Sequence, residues 1–312
     1  MKIAVVGLGG IGSVIGGFLA HGKTQEDEVY FLEPWAVQLE AVRKHGLTVV
    51  SDHYGTFCVQ PDGIFASAAE LHQIMDVVIL CVKSYSLADA VPSLAPICGE
   101  NTVLIPILNG IGIREKIEKV WQRGILTSGC TYITGVSNGH GEASHPGISK
   151  KVLFGSNQKE HQQRLREIEQ KLQNMGVDFE LSSQVEVSIW SKYFMVCAFG
   201  VCTVGLQANV GQILSDEKMF ATLYQLLEEI YQVGIASGIA LPPDQVDRVI
   251  EDARKLDPSN TSSLRRDLDA GKKCTEFPLF SPYVSELGKK LGIPTPGHDA
   301  MIQRIENLYG LN

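Results

Sequence analysis

The fold is decided by the first residues of the chain, 1–12, which read MKIAVVGLGGIG. The run from Ile3 to Val6 is apolar and rich in β-branched residues, which predicts a short buried strand. Glycines at positions 7, 9 and 12 then fit the pattern G-x-G-x-x-G, and small residues follow that predict a helix through Ala20. A strand, a glycine-rich turn and a helix in this order begin a β-α-β unit, which is the setting that gives the pattern its meaning.

Each glycine of this motif has a separate task. The first permits a tight turn, the second lets the backbone approach a pyrophosphate, and the third allows the helix to pack closely on the strand. The pyrophosphate then lies at the helix N-terminus, where free N–H groups and the helix dipole favour an anion. The motif therefore predicts a dinucleotide site. The alternative is that the glycines only permit a tight turn between the strand and the helix. The predicted cofactor-binding residues of the loop are Gly7, Leu8, Gly9, Gly10, Ile11 and Gly12.

An acidic residue, Glu33, ends the second predicted strand, 21 residues after Gly12. A carboxylate there accepts hydrogen bonds from the adenosine ribose hydroxyls and repels a 2′-phosphate, which usually pairs with an arginine. No Arg or Lys lies between Val29 and Val42. Glu33 therefore favours NAD(H) over NADP(H), the alternative being a solvated carboxylate at a strand end.

Strands and helices alternate through the first half of the chain. The strongest strand pattern is the apolar run over 76–82, further strands are predicted over 102–108 and 125–132, and a small hairpin over 48–59. From about residue 184 onward the pattern is helical, and it predicts helices over 184–207, 210–238, 243–255, from near Thr261, and over about 276–291. Because strands that alternate with helices form parallel sheets, we predict an α/β fold: a Rossmann-type doubly wound parallel sheet in residues 1–182, followed by an all-helical C-terminal domain in residues 183–312.

The composition argues against several functional classes. The net charge is −8, from 27 Lys and Arg against 35 Asp and Glu, whereas nucleic-acid binders usually show a basic footprint. The seven cysteines form no CxxC pair or Cys/His cluster, which indicates a reducing, cytoplasmic compartment and no metal site. We expect no apolar stretch to reach the ~18 residues of a membrane span, and hence no membrane partner. The apolar helical domain is compatible with a homodimer.

Five separated motifs run along the chain. They are the loop Gly7–Gly12, Cys81-Val82-Lys83, Leu108-Asn109-Gly110-Ile111-Gly112, Ile189-Trp190-Ser191-Lys192, and the stretch from Thr261-Ser262-Ser263 to Thr275-Glu276. Together and in this order they resemble the ketopantoate reductase (2-dehydropantoate 2-reductase) family over the whole length of the chain. The resemblance implies a Rossmann domain and a helical domain with the active site between them. It also implies that NAD(P)H reduces a branched 2-keto acid, most simply ketopantoate to pantoate on the pantothenate route.

The reduction of a 2-keto acid requires particular types of residue in the active site. It needs a hydride on one face of the carbonyl, a proton donor at the carbonyl oxygen and a partner for the carboxylate. Lysine suits the donor role because partial desolvation lowers the pKa of an ammonium. Lys192 matches the family's catalytic lysine and lies in an otherwise apolar segment, where a lysine is rare without a functional reason. The alternative is a lysine that extends from a helix end into solvent.

The resemblance also assigns roles to four other residues. Asn109 matches the asparagine at the junction of nicotinamide and substrate, although Asn-Gly is also a common turn pair. Lys83 matches a lysine near cofactor and substrate, the alternative being a solvated loop residue. Ser263 matches the serine that binds the substrate carboxylate, although a serine there also suits a helix cap. Glu276 matches the glutamate on the ribose or nicotinamide side of the cofactor, but its spacing from Ser263 is one residue longer than usual.

Two positions depart from the family pattern. The family's helix usually carries an asparagine four residues after the catalytic lysine and often a second four residues further on, and here these positions are Val196 and Gly200. Helical spacing places both on the lysine's face, and a pocket without such donors loses discrimination for a hydroxylated substrate. Thr203 and the hydroxyl of Tyr132 are the candidates to replace them.

One further residue and two alternative functions complete the predictions. His145 is expected at a turn or the surface rather than as a second acid. One alternative is an NAD-dependent D-2-hydroxyacid dehydrogenase of the same family, since members of that branch resemble this chain in carrying an acidic residue and then a tryptophan, here Glu33 and Trp35, after the second strand. The other is a non-catalytic dinucleotide sensor, which has no need of Lys192, Asn109 and Ser263 together. NADP(H), the family's usual cofactor, stays open beside NAD(H).

Overall fold

The computed structural model describes residues 1–121 and 123–311, which divide into two compact units. The first unit comprises Met1–Leu108 and Gly112–Val185. The second comprises Glu186–Asn312 together with Asn109–Ile111, a short stretch from the middle of the chain. The second unit therefore takes in the Asn-Gly motif that follows a strand of the first.

The first unit contains both strands and helices. In chain order its elements are β1 (Lys2–Val6), α1 (Gly10–Gly22), β2 (Glu28–Leu32), α2 (Ala36–His45), β3 (Leu47–Ser51), β4 (Gly55–Val59), β5 (Gly63–Phe65), β6 (Val77–Leu80), α3 (Leu87–Ser93), β7 (Val103–Pro106), α4 (Ile113–Glu118), β8 (Ile125–Leu126), β9 (Ser128–Thr131), β10 (Val136–Gly139), β11 (Glu142–His145), β12 (Lys151–Gly155), α5 (Gln162–Asn174) and β13 (Asp178–Leu181).

A six-stranded parallel sheet with the order β5-β2-β1-β6-β7-β8 confirms the predicted fold class. Successive strands are added on one side of β1 and then on the other, as in dinucleotide-binding folds. In such folds the ligand binds at the carboxyl ends of the strands, at the point where the strand order reverses. That reversal lies between β1 and β6. Strands β6 and β7 are buried throughout, and a sheet covered on both faces requires such continuous apolar runs.

Two smaller sheets accompany the parallel one. A four-stranded sheet, β10-β11-β3-β4, contains the predicted hairpin, and a three-stranded sheet has the order β13-β12-β9. The single strand predicted over 125–132 is wrong, because the chain is divided there at Thr127 into β8 and β9. These two strands pair in different sheets, β8 with β7 and β9 with β12.

The turn from β1 into α1 requires glycine at two positions, for different reasons. Gly7 has a φ of +89°, which L side chains rarely adopt. A Cβ added at Gly12 would overlap the carbonyl oxygen of Gly7, so the helix can pack this closely only without a side chain. Gly9 differs from both, because an added Cβ there meets no atom within 4 Å. Packing therefore does not explain Gly9.

In the described residues of the second unit all regular structure is helical. The helices are α6 (Val185–Phe194), α7 (Gly200–Gly205), α8 (Val210–Ser215), α9 (Glu217–Ala236), α10 (Gln245–Ala253), α11 (Ser263–Asp269), α12 (Ser281–Leu291) and α13 (Pro296–Tyr309). The helix predicted over 210–238 is two helices, because the Asp216 carboxylate accepts hydrogen bonds from the N–H groups of Lys218 and Met219 and so begins α9 anew. The helix α13 was not anticipated from the sequence.

The helix predicted over 184–207 contains a wider turn. Helix α6 ends at Phe194, residues Met195–Phe199 form a π-helical turn, and α7 continues from Gly200. Such turns are rare and are frequently found at functional sites. The four-residue spacing assumed for Val196 and Gly200 therefore needs correction.

The segment Val185–Gly205 also corrects the expectation that no apolar stretch reaches the length of a membrane span. It has 21 residues and is apolar enough to cross a membrane by length and composition alone. Of its most apolar window, however, 61% is buried inside the fold. This burial is typical of a core helix.

We expect Gly12→Ala to destabilise the chain by about 1–3 kcal/mol, because the new methyl group overlaps a backbone carbonyl that cannot move without opening the turn. Gly9→Ala is the matched control and should stay within ~0.5 kcal/mol of the wild type, since its methyl group enters open space. Urea unfolding of both variants measures the difference. Equal midpoints for the two variants would contradict the assigned role of Gly12.

Candidate functional site

Three sequence-predicted features meet at one edge of the parallel sheet. The glycine loop follows β1, Glu33 follows β2, and Lys83 comes three residues after β6, on strands that are direct neighbours. A Cβ placed on Gly7 would lie 3.2 Å from the carbonyl carbon of Cys81, so the segment that leads to Lys83 passes directly beside the loop. Lys83 itself is exposed and precedes a short helical turn rather than ending the strand.

The carboxylate of Glu33 is hydrogen-bonded to the glycine loop. Its Oε2 accepts a hydrogen bond from the N–H of Leu8 at 2.6 Å, and its Oε1 accepts one from the N–H of Trp35 at 2.8 Å. The residue is only 8% exposed, which rules out a merely solvated carboxylate at a strand end. Because an ionised carboxylate has about four acceptor positions, Glu33 keeps acceptor capacity for the hydroxyls of a sugar.

The loop fits the pyrophosphate of a dinucleotide. Helix α1 has no side chain that caps its N-terminus and no acidic residue in its first turn. The N–H groups of a first helical turn lack partners within the helix, and they favour an anion. The open space beside Gly9 lies at the glycine that is expected to let a phosphate approach the backbone.

In the second unit, Lys192 and Asn109 are hydrogen-bonded to each other. The Nζ of Lys192 donates to Oδ1 of Asn109 at 2.8 Å, and both side chains are partly buried. Lys192 is therefore not a lysine that simply extends from a helix end into water. The Asn-Gly pair does form a turn, since Gly110 has a φ of +107°, but Asn109 also orients the ammonium.

Glu276 lies in a turn that is anchored beside Lys192. The residue is buried and precedes the short helical turn Phe277–Leu279. The hydroxyl of Tyr193 donates to the carbonyl oxygens of Leu279 and Phe280, at 2.7 and 3.2 Å. Burial raises the pKa of the Tyr193 hydroxyl well above its ordinary value, so the group stays a donor. The turn that carries Glu276 is thereby fixed to the residue next to Lys192.

The cap of α11 is Ser262, so the alternative cap role for Ser263 is wrong. The Ser262 Oγ accepts from the N–H of Arg265 at 3.0 Å, whereas Ser263 is the first helical residue and is exposed. The hydroxyl of Thr203 lies 2.7 Å from Ser262 Oγ and 2.9 Å from the carbonyl oxygen of Gly200. Because its single O–H is engaged there, Thr203 does not replace a missing asparagine.

The position of the second family asparagine is closed by an aromatic ring. A Cβ placed on Gly200 would lie 3.2 Å from Cε2 of Phe280, a buried residue. In a regular α-helix, position 200 would be rotated about 80° from Lys192. The π-helical turn advances less per residue and so reduces this rotation. Gly200 therefore stays near the face of Lys192, but with Phe280 beside it.

His145 is a buried residue of β11, which corrects the expectation of a turn or surface histidine. Its Nδ1 lies 3.0 Å from Ser51 Oγ, its Nε2 lies 3.1 Å from the carbonyl oxygen of Ser149, and its ring stacks on Tyr54. Burial lowers the pKa of the imidazole. The residue stabilises the four-stranded sheet. The other candidate hydroxyl, on Tyr132, belongs to the first unit and is exposed.

Three residues with a positioning role were not found from the sequence. Ser262, Tyr193 and Phe280 hold the elements around Lys192, and only Tyr193 carried a signal, as the polar neighbour of Lys192 in an apolar segment. Within residues 1–121 and 123–311, no group of three or more His, Cys, Asp or Glu could hold a metal ion, and all seven cysteines are unpaired by disulfides.

Comparison with known proteins identifies relatives that align with nearly the whole chain. An uncharacterized oxidoreductase of Bacillus subtilis (strain 168), YkpB, is 29% identical over 296 residues, which cover 95% of each chain. A 2-dehydropantoate 2-reductase of Streptococcus pyogenes serotype M3 (strain ATCC BAA-595 / MGAS315) is 24% identical over 95% of this chain and 94% of its own. The structure of D-mandelate dehydrogenase with NADH and anilino(oxo)acetate has a TM-score of 0.87 at 23% identity, with 99% of both chains covered, and so shares the fold.

Family assignments cover both units. Residues 3–159 match the family described as Ketopantoate reductase PanE/ApbA. Residues 184–308 match the family described as Ketopantoate reductase PanE/ApbA C terminal. The chain therefore belongs to the ketopantoate reductase PanE/ApbA family of oxidoreductases.

Proposed function

We propose that this chain is an NAD(P)H-dependent 2-keto acid reductase of the 2-dehydropantoate 2-reductase type. Its reaction is the reduction of the C2 carbonyl of a branched 2-keto acid, most simply ketopantoate to pantoate on the pantothenate route. The observation that carries the proposal is the hydrogen bond from Lys192 to Asn109 in a chain of this family. A relative named 2-dehydropantoate 2-reductase that aligns over 95% of the chain supports it.

The dinucleotide is assigned to the first unit. The N-terminus of α1 receives the pyrophosphate, the open side of Gly9 admits it, and Glu33 accepts hydrogen bonds from the ribose hydroxyls. When bound, the reduced nicotinamide supplies a hydride to the carbonyl carbon of the substrate. By family resemblance, Lys83 and Glu276 contact the cofactor as well.

Lys192 is the proton donor in this proposal. As the carbonyl carbon accepts the hydride, negative charge develops on the carbonyl oxygen, and a proton from Nζ neutralises it. An ammonium carries three N–H donors, and Asn109 fixes the direction of one of them. Asn109 therefore sets the orientation of the acid before the substrate binds. Ser263, by family resemblance, binds the substrate carboxylate.

We expect Lys192→Ala to lower kcat by about 10²–10⁴-fold, because the developing alkoxide loses its proton donor. Binding of NADH should be retained, since its assigned residues lie mainly in the first unit. Steady-state kinetics and NADH titration measure the two quantities. Lys290→Ala, an exposed lysine on α12, is the matched control and should match the wild type in both. A Lys192→Ala enzyme that keeps most of its turnover would remove Lys192 from the mechanism.

The substrate is tested with a matched pair of keto acids, ketopantoate and 3,3-dimethyl-2-oxobutanoate, which lacks only the 4-hydroxyl. Val196, Gly200 and the engaged Thr203 offer no side-chain donor for that hydroxyl. We therefore expect both acids to be reduced, with kcat/KM for ketopantoate higher by less than about 100-fold. A kcat/KM ratio above about 10⁴ in favour of ketopantoate would mean that other polar groups of the protein hydrogen-bond to the 4-hydroxyl. The assay follows nicotinamide absorbance at 340 nm.

A second candidate function is an NAD-dependent D-2-hydroxyacid dehydrogenase of the same family. It is favoured by the ring of Phe280 against Gly200, which replaces a polar position by an apolar one. Phenylglyoxylate and other unhydroxylated acids belong in the same assay, and a preference for them over ketopantoate would support this alternative. Binding of NADH without turnover of any 2-keto acid would instead support a dinucleotide sensor.

Cofactor preference is tested at Glu33. We expect the wild type to prefer NADH to NADPH, and Glu33→Gln to weaken NADH binding about 10-fold or more, because hydrogen bonds to a charged acceptor are lost. The same change should narrow the preference over NADPH, since the repulsion of a 2′-phosphate disappears. Glu40→Gln, on the exposed side of α2, is the control. An unchanged NADH/NADPH ratio in Glu33→Gln would count against the assignment.

A further inference from the structure

One large aromatic side chain beside the glycine loop has no role in the proposed mechanism. Trp35 is 53% exposed, whereas Trp121 and Trp190 are 7% and 5% exposed. A tryptophan is normally placed so that most of its ring is covered. An indole that is half in water next to a predicted ligand site is therefore informative.

The backbone of Trp35 is fixed relative to the loop through a single carboxylate. Glu33 Oε1 accepts from the N–H of Trp35, and Glu33 Oε2 accepts from the N–H of Leu8 in the glycine loop. The group assigned to the ribose hydroxyls thus stands between the loop and the tryptophan. The base of an adenosine is attached to the same ribose and must lie close to this carboxylate.

The end of strand β10 lies beside the indole of Trp35. A Cβ on Gly10 would overlap the carbonyl oxygen of Gly135, so β10 begins against the first turn of α1. At the other end of β10, a Cβ on Gly139 would lie 3.8 Å from Cη2 of Trp35. Gln38 Oε1 also accepts from the N–H of Gly141 at 2.9 Å, which holds α2 against the turn after β10.

We propose that the indole of Trp35 is the stacking surface for the adenine base of the bound dinucleotide. This inference rests on the proposed function, because it needs the pyrophosphate at α1 and the ribose at Glu33. A flat purine can cover the exposed face of the indole, and aromatic side chains bind bases in this way whatever the base.

Trp35 is tested first by its own fluorescence, with ADP-ribose as the probe because it contains the adenosine half and lacks nicotinamide. The wild type should show quenching of the solvent-exposed part of the tryptophan emission as ADP-ribose is added. Trp35→Phe keeps the two buried tryptophans and should lose that quenching. Equal quenching in wild type and Trp35→Phe would overturn the proposal.

Binding affinity gives an independent test that does not depend on tryptophan emission. By calorimetry, Trp35→Ala should bind ADP-ribose and NADH about 10-fold or more weakly, because base–aromatic stacking is lost. Trp35→Phe should stay within about threefold of the wild type, since a phenyl ring also stacks. Val37→Ala removes exposed apolar surface from α2, the helix that Trp35 precedes, and should have no effect. Binding of nicotinamide mononucleotide, which has no adenine, should be equal in all four proteins.

The outcomes separate this inference from the proposed function. A wild type that binds ADP-ribose as tightly as Trp35→Ala does would overturn the stacking role and leave the dinucleotide site intact. A wild type that binds neither ADP-ribose nor NADH would overturn both. A circular dichroism spectrum of Trp35→Ala that matches the wild type establishes that weaker binding does not come from unfolding.

Discussion

The close contact between Gly12 and the carbonyl of Gly7 is the constraint on which the first unit depends. It allows α1 to begin directly on the turn that leaves β1, with no side chain capping its first N–H groups. Glu33 can then hold Leu8 from β2, and β10 can approach α1 at Gly10. A single side chain at position 12 would separate the helix from the strand and disturb all of these contacts together.

In the second unit, close contacts fix the orientation of a polar group, the ammonium of Lys192. Lys192 is oriented by Asn109, which lies 83 residues earlier in the chain, and the segment of Glu276 is held by Tyr193. A reacting group is most effective when its direction is set before the substrate arrives, because less reorganisation is then needed in the transition state. This orientation depends on the short stretch Asn109–Ile111, which follows a strand of the first unit and belongs to the second.

Much of this arrangement could be predicted from local sequence. The glycine pattern and the apolar run over 76–82 predicted the parallel sheet, since buried strands must be apolar along their whole length. The division at Thr127 could not be predicted, because two short strands in different sheets have the same local composition as one long strand. The burial of His145 and the contact of Phe280 with Gly200 depend on residues 94 and 80 positions away, beyond the reach of any local pattern. Ser262 and Ser263 are chemically identical, so only backbone geometry decides which of them caps α11.

The π-helical turn at Met195–Phe199 has a consequence for how such enzymes diversify. It accommodates one residue more than an α-helical turn, while the helix continues on both sides without a break. Loss of one residue there, with the turn tightened to α-helical geometry, would leave the helix from Gly200 onward in nearly the same rotation relative to Lys192, because the wider turn holds one more residue in about the same rotation. A change of one residue in chain length within this turn can thus alter the side chains between Phe194 and Gly200 while the helices on both sides keep their orientation. Chain length at this turn, as well as the identity of single side chains, can therefore vary without disruption of the helical unit.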